Sequence, residues 1–150
     1  MRTTFMRRSI LRFGIVGTAS ALLLAFGSPT YAGTVQFKAD LNGPSEVPPN
    51  QTTGTGTVTA TLDTTTKQLS WQGSYSGLTG PATAAHFHGP AEPGKNAGVA
   101  VPITPVTNPL QGSVTLTDAQ AADLEAGRWY VNIHTAANPG GEVRGHLVKM

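Results

Sequence analysis

Four histidines carry most of the chemistry open to this chain, and two of them stand one residue apart in Ala84-Ala85-His86-Phe87-His88-Gly89-Pro90. Side chains alternate along an extended strand, so His86 and His88 share one face and Phe87 takes the other. Two imidazoles at that spacing can close on one ion. In Trp129-Tyr130-Val131-Asn132-Ile133-His134 the same alternation groups Tyr130, Asn132 and His134 against an apolar set of Trp129, Val131 and Ile133. A turn follows at Ala137-Asn138-Pro139-Gly140, and beyond it Glu142, Arg144 and His146 alternate with Val143 and Leu147. A hairpin with a symmetric register sets His134 opposite Glu142, Asn132 opposite Arg144 and Tyr130 opposite His146. All four histidines then line one sheet face.

With no cysteine in the chain, any metal must be held by His, Asp or Glu. His86, His88 and His134 are the candidate ligands, because three imidazoles with an open position are a usual set for zinc or copper. The missing thiolates argue against a blue-copper electron-transfer site. Glu142 and His146 are candidates for a further ligand, or for an outer partner that fixes an imidazole tautomer. The same residues can instead form a buried hydrogen-bonded network, with Glu142 and Arg144 in ion pairs that orient loops. Spacing leaves both readings open. No Gly-x-Ser-x-Gly elbow, phosphate loop or His-Glu-x-x-His motif occurs, and Glu46, Glu92 and Glu142 lie in separate segments with no facing acid. No catalytic residue is assigned, and a non-enzymatic role is favoured.

The elements that must position these residues read as strands. Short period-two runs rich in Thr and Val, separated by Gly, Pro and Asn clusters, predict strands over 35–41, 55–62, 69–76, 82–88, 99–103, 112–116, 129–135 and 143–148. Thr117-Asp118-Ala119-Gln120 has the form of a capping box and predicts one short helix ending at Gly127, with Leu116 and Leu124 pinning it to the sheet. The residues 50–54 and 91–97 read as exposed loops. The expected fold is all-β, an antiparallel immunoglobulin-like or Greek-key sandwich with one short helix.

The charge count separates the two ends of the chain. Across 150 residues there are 10 Lys+Arg against 8 Asp+Glu, but Arg2, Arg7, Arg8 and Arg12 precede residue 33 and no acid does. The remainder holds six basic residues against eight acidic ones, so it lacks the electrostatic footprint that phosphate backbones demand, and nucleic-acid binding is not expected. Residues 1–32 combine a cationic start, an apolar stretch over 13–27 and a small-x-small site at Thr30-Tyr31-Ala32. That pattern predicts a removable export signal and a periplasmic or secreted protein, with Arg7-Arg8 resembling the twin-arginine form. About 15 apolar residues fall short of the roughly 20 needed to span a bilayer, so no membrane anchor is expected after cleavage. Residues 33–150 suit a single domain.

The motifs then fall into a recognisable order. Leu41-Asn42-Gly43-Pro44-Ser45-Glu46-Val47-Pro48-Pro49, Gly54-x-Gly56, Gly77-Leu78, Ala85-His86-Phe87-His88-Gly89-Pro90, Gly127-x-x-Tyr130-Val131-Asn132-Ile133-His134-Thr135 and Pro139-Gly140-Gly141-Glu142-Val143-Arg144-Gly145 together resemble the CHRD domain, named after chordin. The resemblance spans nearly all of 35–148 and implies an immunoglobulin-like sandwich. In chordin the domain belongs to an extracellular protein that binds growth factors, so the resemblance also implies an extracytoplasmic protein partner as an alternative to a metal ion. His86, His88, His134, Glu142 and Arg144 fall within the matched motifs, whereas His146 lies outside them. His86-Phe87-His88 is also similar to the copper-binding stretch of copper-zinc superoxide dismutases. The chain departs from those enzymes in lacking their disulfide cysteines and a His-rich zinc loop. Three functions remain in view: an exported binding protein for copper or zinc, an interaction module with a structural histidine network, and a copper-dependent redox enzyme.

Overall fold

The structure, a computed structural model, describes residues 33–150. The predicted export signal lies outside the described residues. Nine antiparallel strands form one curled sheet: β1 (Thr34–Asn42), β2 (Thr55–Asp63), β3 (Gln68–Ser76), β4 (Ala82–His88), β5 (Val99–Pro102), β6 (Leu110–Thr115), β7 (Tyr130–Thr135), β8 (Val143–His146) and β9 (Val148–Lys149). Their spatial order is β5-β4-β7-β8-β1-β2-β3-β6, with β9 also paired to β1. The curl folds the sheet over itself into the expected all-β, sandwich-like architecture.

The inward positions of the alternation build the core. Phe37, Ala39 and Leu41 on β1 stand beside Val58, Ala60 and Leu62 on β2 and Leu69 and Trp71 on β3, all buried. From the other half of the sheet, Phe87, Val131, Ile133 and Val143 close against them. Trp71 meets Phe87 edge-on with ring centroids 5.1 Å apart, so the two ends of the strand order touch through the core. Each fully buried aliphatic or aromatic side chain contributes on the order of 2 kcal/mol to holding this closure.

One helix, α1 (Asp118–Glu125), follows β6 with the expected capping box. Gln120 N donates to Thr117 Oγ1 at 3.2 Å, and Thr117 N donates to Gln120 Oε1 at 2.9 Å. Gly127 ends it at φ +73°, the left-handed position that favours glycine. Leu116 and Leu124 are both buried, as expected.

Two details differ from the sequence reading, and one exposed loop matches it. The last predicted strand is split, because Leu147 turns inward and its N–H donates to Trp129 O at 2.9 Å, leaving β9 to pair with β1. The residues 50–54 are partly buried, since Asn50 Nδ2 donates to Glu142 O at 2.9 Å. The segment 91–97 exposes most of its side chains, yet its backbone is tied down over the histidine face.

Candidate metal centre

β4 and β7 are neighbours with Ala84 opposite His134, His86 opposite Asn132 and His88 opposite Tyr130. β7 and β8 pair with Asn132 opposite Arg144 and Tyr130 opposite His146, the register expected from the turn. His86, Asn132 and Arg144 therefore form one row across three strands. His134 sits diagonal to His86, and the rings of His86 lie 5.3 Å from His88 and 5.0 Å from His134. One ring nitrogen from each of the three lies within 4.8 Å of the others.

Backbone carbonyls orient two of these rings. His88 Nδ1 lies 3.0 Å from Ala97 O and His134 Nδ1 lies 2.9 Å from Pro139 O. A carbonyl only accepts, so both Nδ1 atoms carry the proton and both Nε2 atoms present a lone pair. His134 Nε2 accepts from His86 Nδ1 at 3.0 Å. His88 Nε2 is buried and has no partner. Burial, followed by the charges His134 and His88 would carry, holds His86 below the usual imidazole range. Burial lowers His88 as well, against the opposing pull of the Ala97 carbonyl. Imidazoles with tautomers fixed by backbone carbonyls suit a borderline divalent ion, which would take the place of the proton between His86 and His134.

The outer side of this face is packed beneath the segment 91–97. Tyr130 stacks on His88 with centroids 4.9 Å apart and an interplanar angle of 4°. The Arg144 guanidinium lies 3.4 Å from the Tyr130 ring centroid. Arg144 donates to Asn96 Oδ1 at 2.8 Å and to Lys95 O, while Ala97 N donates to the Tyr130 hydroxyl at 3.1 Å. These contacts hold the segment 91–97 over the sheet.

Glu142 does not join the histidines. The β7–β8 ladder ends at Ile133 opposite Val143, and Gly141 at φ +132° bends the chain before it. Alternation holds only along extended backbone, so beyond the bend the Glu142 side chain turns to the Thr135 side of β7. Its Oε1 accepts from Thr52 Oγ1 and Thr79 N, both at 2.7 Å. Its Oε2 accepts from Thr79 Oγ1 at 2.7 Å and Thr135 Oγ1 at 2.6 Å. Burial pushes this carboxyl up, but the hydrogen bonds from Thr135, Thr79 and Thr52 outweigh it and hold the group at about 2. Among the described residues neither Glu142 nor Arg144 is ion-paired, so the ion pairs of the alternative network reading are replaced by neutral donors and acceptors. His146 also lies outside the three-imidazole group; its ring sits 6.2 Å from Tyr130 and its Nε2 is buried without a partner.

Sequence reasoning passed over Glu46. It is 5% exposed, its Oε1 has no partner, and burial raises it to about 7 against the opposing charge of Arg144. With Arg144, His146, Pro44, Val47 and Pro93 it lines a cavity of about 440 Å³. A lone acid inside a proline-rich motif was the available signal. Nothing in the spacing marked Thr52, Thr79 and Thr135 as carboxylate donors, since the chain is threonine-rich throughout.

The CHRD domain family model matches residues 37–147. No curated protein and no solved structure matches the chain.

Proposed function

The chain belongs to the CHRD-domain family, whose members are binding and interaction modules, and from that premise we propose that it is an exported module that binds a transition metal, zinc or copper(II), through His86, His88 and His134. One observation carries the reading: three imidazole nitrogens converge within 4.8 Å, with two tautomers set by backbone carbonyls and one lone pair buried and unpartnered. A bare ion would accept the buried His88 lone pair, which no protein donor does here, and would replace the His86 proton at His134 Nε2. The leader pattern of residues 1–32 supports a periplasmic or secreted location.

Calorimetric titration of the purified protein with zinc(II) and copper(II) tests this. One ion per chain is expected, at about micromolar affinity or tighter, with His86→Ala and His134→Ala each weakening it at least tenfold. Binding no tighter than about millimolar, or binding indifferent to both substitutions, overturns it.

A second reading has its own observation, the clamp of the segment 91–97 by His88, Tyr130 and Arg144. There the histidines only brace a loop that presents a partner surface. It predicts that chelators leave the melting temperature unchanged while His88→Ala lowers it.

A further inference from the structure

We infer that Asn132 Oδ1 is the fourth donor of this centre, so that the ion is held by three nitrogens and one oxygen. The inference rests on the metal-binding reading and deepens it. Asn132 occupies the middle of the imidazole group: His86 is its cross-strand partner, His134 lies two residues along the same face, and His88 faces the adjacent pair. Its Oδ1 is buried and has no hydrogen-bond partner, and the same is true of His88 Nε2.

The two atoms are a matched problem. The Asn132 side chain lies within hydrogen-bonding reach of His88. Yet His88 has already spent its one proton on Ala97 O, so an amide oxygen and an imidazole lone pair confront each other with no hydrogen between them. Neither is reachable by water. Two buried acceptors in that relation are satisfied by a dehydrated cation, which needs less room than water.

A Cβ at Gly141 would stand 2.7 Å from Asn132 Nδ2 and 2.4 Å from Glu46 Oε1, so the Nδ2 end and the Glu46 carboxyl crowd the same side. The Nδ2 end therefore lies on the Gly141 side, which leaves Oδ1 for the imidazoles. Gly141 is needed there, since any side chain would displace Glu46. A set of three imidazoles and one amide oxygen favours borderline divalent ions, zinc(II), cobalt(II) or copper(II), over copper(I), which prefers sulfur.

Cobalt(II) titration followed by visible absorption tests the assignment, because the spectrum reports coordination as well as affinity. In Asn132→Leu, affinity is expected to fall by about tenfold or more and the absorption envelope to change, while the metal-free melting temperature is held. Asn132→Asp keeps the oxygen and adds charge, so it binds at least as tightly as the parent. Should Asn132→Leu fail to fold, Asn132→Ser decides: it must bind more weakly than the parent and Asn132→Asp must not. If His86→Ala abolishes binding while Asn132→Leu keeps parental affinity and spectrum, this inference falls and the three-histidine centre stands. If the parent binds no cobalt(II) or zinc(II), both fall together.

Discussion

Glu142 offers the sharpest test of how the site's frame is held. Its carboxylate ties three separated segments, through Thr52, Thr79 and Thr135, without touching a cation. The difference between an ordinary glutamate at 4.5 and one held at about 2 is worth roughly 3 kcal/mol of folding stability. Because the folded value is depressed, that stability is fully present above about pH 4.5 and is lost as the pH falls toward 2. Glu142→Gln removes the charge and turns an amide N–H₂ toward donors, so it should cost about that much at pH 6 and much less at pH 2.5. The assay is denaturant unfolding of parent and variant across that range, where the loss corresponds to a melting shift on the order of 10 °C at pH 6. Taking the difference between the two proteins cancels the other titrating groups, including Glu46. A parent-minus-variant gap that stays constant from pH 6 to pH 2.5 would refute the idea that four neutral donors depress this carboxyl.

Glu46 should behave in the opposite sense: its carboxyl is raised from 4.5 to about 7, so the folded state holds the proton and loses stability as pH rises through that window. Glu46→Gln is therefore expected to gain on the parent by roughly 2 kcal/mol between pH 5 and pH 8, read by unfolding at both values; an unchanged difference refutes it. Arg144→Lys cannot reproduce a guanidinium that stacks on Tyr130 while donating to Lys95 O and Asn96 Oδ1, so it should cost roughly 1.5–3 kcal/mol and speed hydrogen exchange in the segment 91–97. Gly141→Ala meets both a positive φ and the Glu46 carboxyl; it should destabilise by roughly 1–3 kcal/mol, measurable as a lower unfolding midpoint. Zinc(II) at a hundredfold excess over its dissociation constant should stabilise the folded chain by about 2.7 kcal/mol, and His86→Ala should abolish that gain in a thermal melt.

The amino-acid sequence by itself determined the strands, the helix cap and the face on which each histidine lies. Those follow from local rules: a period of two in β4 and β7, a Thr-x-x-Gln box before α1, and a turn whose symmetry sets the β7–β8 register. The convergence of His86, His88 and His134 was legible for the same reason, because alternation and one ladder suffice to put them together. Tertiary structure decided what those rules cannot reach. Glu142 left the histidine face because a single bend at Gly141 breaks the alternation, and its donors come from positions 52, 79 and 135, far apart in the chain. The tautomers of His88 and His134 were set by backbone carbonyls at Ala97 and Pro139, which every residue possesses and no side-chain pattern announces. Glu46 faces Arg144 only because β1 lies beside β8, a neighbour relation between segments about a hundred residues apart. Which polar atoms are left buried and unpartnered, Asn132 Oδ1 and His88 Nε2 among them, is a property of packing that no local pattern announces.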